Sequence, residues 1–183
     1  MLSATWVASL PAQATAQQPT NAERIGLTIA AALTEITLHE TGHAVMAASL
    51  GWEIHDFAPY PHVCGGKFVG GCVITSTDEE ADSPDYDSEQ AWVSAAGSMT
   101  STLSALALAP FVNDINDPYG REYARQLVFY QRFDFPFYVL YDLLGFDGDW
   151  QSVADHTGVS LWWFVPLAAA HVYGMQVYVN KFG

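Results

Sequence analysis

Leu38-His39-Glu40-Thr41-Gly42-His43-Ala44-Val45 decides how the rest of the chain is read. On a helix, residues four apart lie one turn above each other on one face, so His39 and His43 present two imidazole nitrogens to a single point. Glu40 follows the first histidine and sits beside that point, placed to take a proton from a metal-activated water without being a ligand itself. These residue types at this spacing predict a zinc site and metal-assisted hydrolysis, with Glu40 as the general base. Ile25, Ile29, Ala32, Ile36, His39, His43, Ala47 and Leu50 follow the helical period, so the histidines are expected to face inward. Burying two imidazoles and a carboxylate together is costly unless a divalent cation compensates them.

The 183 residues suffice for one domain with a real core, predicted over 21–183. Half of them are apolar and 14% aromatic, and six Lys plus Arg against twenty Asp plus Glu leave a net charge of −14. Such a surface repels phosphate backbones, which excludes nucleic acid as a partner. Residues 1–20 carry no charge and end in small residues. With Ala14-Thr15-Ala16 matching a small-x-small cleavage pattern, they read as a signal remnant or as an uncharged, disordered Ala/Gln tail. Export to a periplasm-like compartment is the favoured expectation, beside membrane-associated and cytoplasmic ones. Cys64 and Cys72 flank a Gly-rich run; in an exported chain they close a disulfide across a hairpin, in cytosol they are free thiols, and two thiols at that spacing argue against a second zinc site.

Thr20 and Glu23 form a capping-box pattern that opens a helix over 21–50, stopped at Gly51. Residues 54–63 read as an extended segment confined by prolines, and 68–75 as its return strand. Residues 77–87 form an acidic loop, and Ser88-Glu89 is expected to cap a second helix over 90–109, whose Ala95-Ala96-Gly97-Ser98 patch suits close packing against the first. Asp117 and Pro118 suit the N-cap and first position of a third helix. A fourth piece is expected over 135–144, a short fifth capped by Asp149 over 150–156, and a last helix over 161–179, capped by Ser160 and bent at Pro166. Residues 161–179 and 91–112 are uncharged and long enough to span a bilayer. Seven Ser, Thr or Gly in the second run, and Pro166, His171 and Gln176 in the first, favour a water-exposed domain over a spanning one.

A catalytic zinc site needs a third protein ligand. Met46 and Ser49 stand where an extended motif would place Gly and His, so the ligand must come from elsewhere, with Glu89 and Glu122 as candidates. From His39 onward the chain resembles the peptidase domain of FtsH-like zinc proteases, and more loosely the intramembrane site-two proteases. His39-Glu40-Thr41-Gly42-His43-Ala44-Val45 matches their H-E-x-G-H-A-φ signature; Gly70-Gly71-Cys72-Val73, Ala95-Ala96-Gly97 and the segment from Asn116-Asp117-Pro118 to Ala124-Arg125 are similar to further parts of that domain. The resemblance implies His39, His43 and Asp117 as zinc ligands and Glu40 as base, with Asp149 and Asp114 as alternative third ligands. It also implies a mostly α, α+β fold, in which a zincin-like HExxH helix lies beside a small β-hairpin or sheet and about five to six helices. Tyr119, Tyr123, His62 and His171 are candidates for supporting roles. No ATPase module accompanies residues 39–125, so the expected substrates are peptides or loosened proteins. The alternatives are a non-catalytic metal-binding or interaction domain and a membrane-embedded zinc protease.

Overall fold

The computed structural model describes residues 17–64, 66–78 and 84–182; the signal-like stretch up to Ala16 and residues 79–83 of the acidic loop lie outside them. The fold is α+β and mostly α, with five helices and two small two-stranded antiparallel sheets among the described residues.

Helix α1 spans Asn21–Ser49. Thr20 accepts from the Glu23 N–H, while the Glu23 carboxylate reaches back to the Thr20 N–H at 2.7 Å, so both halves of the capping box form. Leu50 closes the helix and Gly51 follows at φ +84°, the left-handed conformation that glycine adopts without strain. Burial does not follow the whole apolar stripe: Ile25 and Ile29 are exposed, and the buried face runs through Ala31, Glu35, His39, Gly42, His43 and Ala47. The buried stripe is therefore polar around the histidines.

Strands β1 (Glu53–Ala58) and β4 (Cys72–Ser76) pair antiparallel, and between them β2 (His62–Cys64) and β3 (Lys67–Val69) form a smaller hairpin. Cys64 and Cys72 are joined by a disulfide that ties the small hairpin to the start of β4.

Helix α2 spans Pro84–Leu108 and so begins before the expected Ser88-Glu89 cap. Pro84 suits the first helical position, and Asp85 and Asp87 in the first turn favour an earlier start through the helix dipole. A short 3₁₀ turn, Ala109–Asp114, leads to α3, Pro118–Leu143, with Asp117 as its N-cap accepting from the Gly120 N–H at 2.6 Å. The expected break before residue 135 does not occur, and α3 runs through Pro136. Proline at 136 cannot donate to the Arg132 carbonyl one turn earlier; His171 from the last helix lies 3.2 Å from that carbonyl and donates in its place.

Helix α4 spans Asp149–Thr157 after the N-cap Gly148, and ends at Gly158 in the left-handed region, φ +69°. A 3₁₀ turn, Leu161–Trp163, precedes α5, Phe164–Phe182. Pro166 falls in the first turn of α5, where its missing N–H interrupts no helical bond, and the helix runs on to Phe182. Three small apolar cores hold the layers together. One is built from Val139, Val153, Ala154, Phe164 and Ala168; another from Ala109, Val112, Ala124 and Val128; the third, under the sheet, from Ala47, Trp52 and Val93.

Candidate metal centre

The site begins with two glycines that let α1 and α2 cross closely. A side-chain carbon on Gly42 would collide with the Ala96 carbonyl, so its absence sets the spacing of the two backbones. On the facing helix, a Cβ at Gly97 would stand 2.5 Å from both the His39 and the His43 Nε2 atoms. The small-residue patch of α2 thus faces the α1 histidines, and Gly97 leaves the space in which the imidazoles converge.

Asp149, the first residue of α4, completes the convergence. Its Oδ2 lies 2.8 Å from His39 Nε2 and 3.3 Å from His43 Nε2, and the two Nε2 atoms are 3.0 Å apart. Ligands about 2.0–2.1 Å from a tetrahedral zinc stand roughly 3.3 Å apart, so the triangle is nearly that of three zinc ligands. Asp149 is free to turn inward because Gly148 takes the N-cap position and the acceptor comes from α3: Asp142 receives the Gln151 N–H at 2.8 Å. Burial pushes the Asp142 carboxyl up to about 6, against the pull of those backbone donors.

Each imidazole is held from behind. His43 Nδ1 donates to the Val93 carbonyl at 2.7 Å, which leaves Nε2 as the lone-pair nitrogen of the neutral ring. His39 Nδ1 faces Asp134 Oδ1 at 3.0 Å, and Tyr138 stacks on its ring at a centroid distance of 4.4 Å. An outer carboxylate or carbonyl on the far nitrogen is how metal-binding histidines are oriented. Glu35, one turn before His39, lies buried beside Asp134; burial and then the Asp134 charge push its carboxyl up to about 7.

The protonation pattern of the cation-free protein fits a cation site. Burial works against a charge on His39, but Asp134 and Asp149 outweigh it and hold the imidazole well above its usual range. Burial likewise opposes a charge on His43, and Asp149 reverses the balance. Asp149 is driven in the opposite direction: burial would raise it, and the two imidazoles hold it far below the ordinary carboxylate range. The cluster thus binds protons where its two nitrogens and one oxygen meet, and a divalent cation would replace that positive charge on the same donors. Glu40 is buried alongside with its carboxyl raised by burial, and it packs under Gly71 at the mouth of β4, where a Cβ would come within 2.6 Å of its side chain.

Asp117 is not part of this centre. Its carboxylate caps α3 on an exposed face, and the third donor is the alternative, Asp149. The other candidates are engaged elsewhere. Glu89 accepts from the Trp52 indole, Glu122 from Gln126, and Asp114 is exposed at the end of a 3₁₀ turn. Tyr119 donates to Glu23 and Tyr123 to Thr34, while His62 faces the disulfide. Asp134, Glu35 and Tyr138 were not legible as site residues from spacing alone. The available cue was a lone carboxylate inside the aromatic run Phe133-Asp134-Phe135 and another one turn ahead of His39, both of which demand partners when buried. Comparison of the chain with known protein families, curated proteins and solved structures returned no match.

Proposed function

We propose that this chain is a zinc-dependent metallopeptidase. The observation that carries the reading is the convergence of His39, His43 and Asp149 on one point, with Glu40 beside it and outside the donor triangle. A divalent cation held by His39, His43 and Asp149 would supply Lewis acidity and would lower the pKa of a water beside it to about 7. Glu40 then takes a proton from the attacking water and returns it to the leaving amine, a role suited to a carboxylate whose affinity for protons is raised by burial. Asp134 and the Val93 carbonyl fix the imidazoles in the orientation the cation needs.

The peptide would enter along β4. Among the described residues β4 pairs only with β1, so one edge is open to an added strand. A groove of about 570 Å³ lined by Trp52, Ile74, Thr75, Ser76, Tyr86 and Gln90 follows β4, and Gly71, the residue before the strand, packs on Glu40. The likeness to FtsH-like peptidases is proposed for the HExxH helix, the Gly-Gly before β4 and the small-residue patch of α2; Asp149 in place of Asp117 departs from it.

Exchanging Glu40 for Gln tests the reading: bound zinc stays, while cleavage of casein or a peptide library falls about 10²–10⁴-fold. Undiminished cleavage by Glu40→Gln overturns the base assignment, and wild type that holds zinc without cleaving any peptide leaves a metal-binding interaction domain instead. A second reading places the same chemistry at a membrane. Residues Asp85–Asp114 are long and apolar enough to cross one, and α1, the Leu161–Trp163 turn and α5 expose Ile25, Ile29, Leu33, Trp162, Leu167 and Tyr173. Release of the expressed chain from the membrane pellet by detergent only, and not by high salt, would establish it.

A further inference from the structure

We propose that His62, Cys64 and Cys72 form a second metal site under redox control, which takes a thiophilic divalent cation when the disulfide is reduced. Nothing in the hydrolytic reading uses these residues, and the inference stands without it.

The argument begins with the His62 tautomer. Its Nδ1 lies 2.8 Å from the Tyr60 carbonyl, and a carbonyl can only accept, so Nδ1 carries the proton. In the neutral ring Nε2 then offers a lone pair, and it points at Cys72 Sγ from 3.4 Å. A disulfide sulfur has no proton to give. The oxidised state thus sets an acceptor against an acceptor, an arrangement that a cation between them would turn into two favourable contacts. The same back-bonding of Nδ1 to a backbone carbonyl orients metal-ligating histidines.

The remaining geometry agrees. His62 and Cys64 are two apart on β2 and share one face of the strand. Cys72, at the first position of β4, brings the third donor, and the three ligating atoms lie within 4.8 Å of one another. Two thiols alone do not hold zinc well, but the imidazole raises the set to three soft or borderline donors and leaves a fourth position for water. All three residues are half-buried, open to a reductant and to an ion.

The chemistry balances with a dithiol reductant: its two sulfurs join as a new disulfide, two electrons and two protons pass to Cys64 and Cys72, and the S–S bond between them breaks. Cation binding then displaces both thiol protons. Because Cys72 follows Gly71, which packs on Glu40, the site sits on the segment that covers the hydrolytic base.

The test counts Co²⁺ bound per full-length chain before and after reduction by a trialkylphosphine, which takes oxygen from water as it reduces the bond. Reduction should add one Co²⁺, with the near-ultraviolet thiolate-to-cobalt absorption absent from the oxidised protein. Cys64→Ser/Cys72→Ser should lose that increment. His62→Gln, which keeps the disulfide and hence the oxidised fold, should weaken it at least about tenfold after reduction. No added ion on reduction, or an equal increment in His62→Gln, overturns the proposal. Because only the increment is read, occupancy of the His39 centre does not affect the outcome.

Discussion

The two donor clusters are assembled by opposite means. His39 and Asp149 meet across 110 positions of sequence, with both imidazoles of the cluster buried and Asp149 half-buried among the helices, whereas His62, Cys64 and Cys72 lie within eleven positions on short strands and are all half-buried. Burying charged donors costs several kcal/mol per ion unless they are compensated, so the helical cluster can exist only with its charges balanced, by protons or by a cation. The hairpin cluster carries no such obligation, because a covalent bond holds it together and water reaches it. A buried centre of this kind suits a resident cation, and a hairpin centre suits one that comes and goes with the redox state.

The sharpest way to break the comparison is to remove the distant member of the buried set. Asp149→Ala should abolish zinc retention, measured as metal content by mass spectrometry, whereas Asp117→Ala should keep the metal and lose only a helix cap, about 1 kcal/mol in thermal or urea unfolding. Retention in Asp149→Ala with loss in Asp117→Ala would reverse the assignment. Gly97→Ala comes next. The added methyl would occupy the space of both Nε2 atoms, so the helices must separate, with a cost of about 1–3 kcal/mol and loss of zinc. A variant as stable and as well loaded as wild type would mean that α2 does not set the histidine geometry. Asp134→Asn leaves the three donors in place and should weaken zinc affinity about 10–100-fold, read by competition with a chelator. Unchanged affinity would deny Asp134 a part in orienting His39.

The helical period, the capping box and the pair His39/His43 were readable because each rests on residues within one or two turns of one another. The third member of the cluster was not, since Asp117 and Asp149 both look like helix caps and only the packing distinguishes them: Asp117 caps α3, while Asp142 frees Asp149 from that duty. The continuous α3 was missed for a related reason. Pro136 reads locally as a break, and the donor that repairs it, His171, lies on another helix. The exposed Ile25 and Ile29 show the converse limit, since a period identifies a face without fixing what packs against it.

The smallest expected effect concerns Glu35, which ties the buried cluster to pH. Its folded value of about 7 lies above the ordinary 4.5, so the folded protein binds this proton more tightly than the unfolded chain does. The resulting stability is fully present below about 4.5 and disappears as pH rises toward 7. In chelator-treated protein, Glu35→Gln removes this group and should reduce the loss of stability between pH 5 and pH 8 by on the order of 2 kcal/mol, seen as a smaller fall in melting temperature. The comparison with wild type isolates Glu35 from Asp142 and Glu40, which titrate in both proteins. Parallel melting curves against pH would mean that the Glu35 carboxyl is solvated better than its burial beside Asp134 implies.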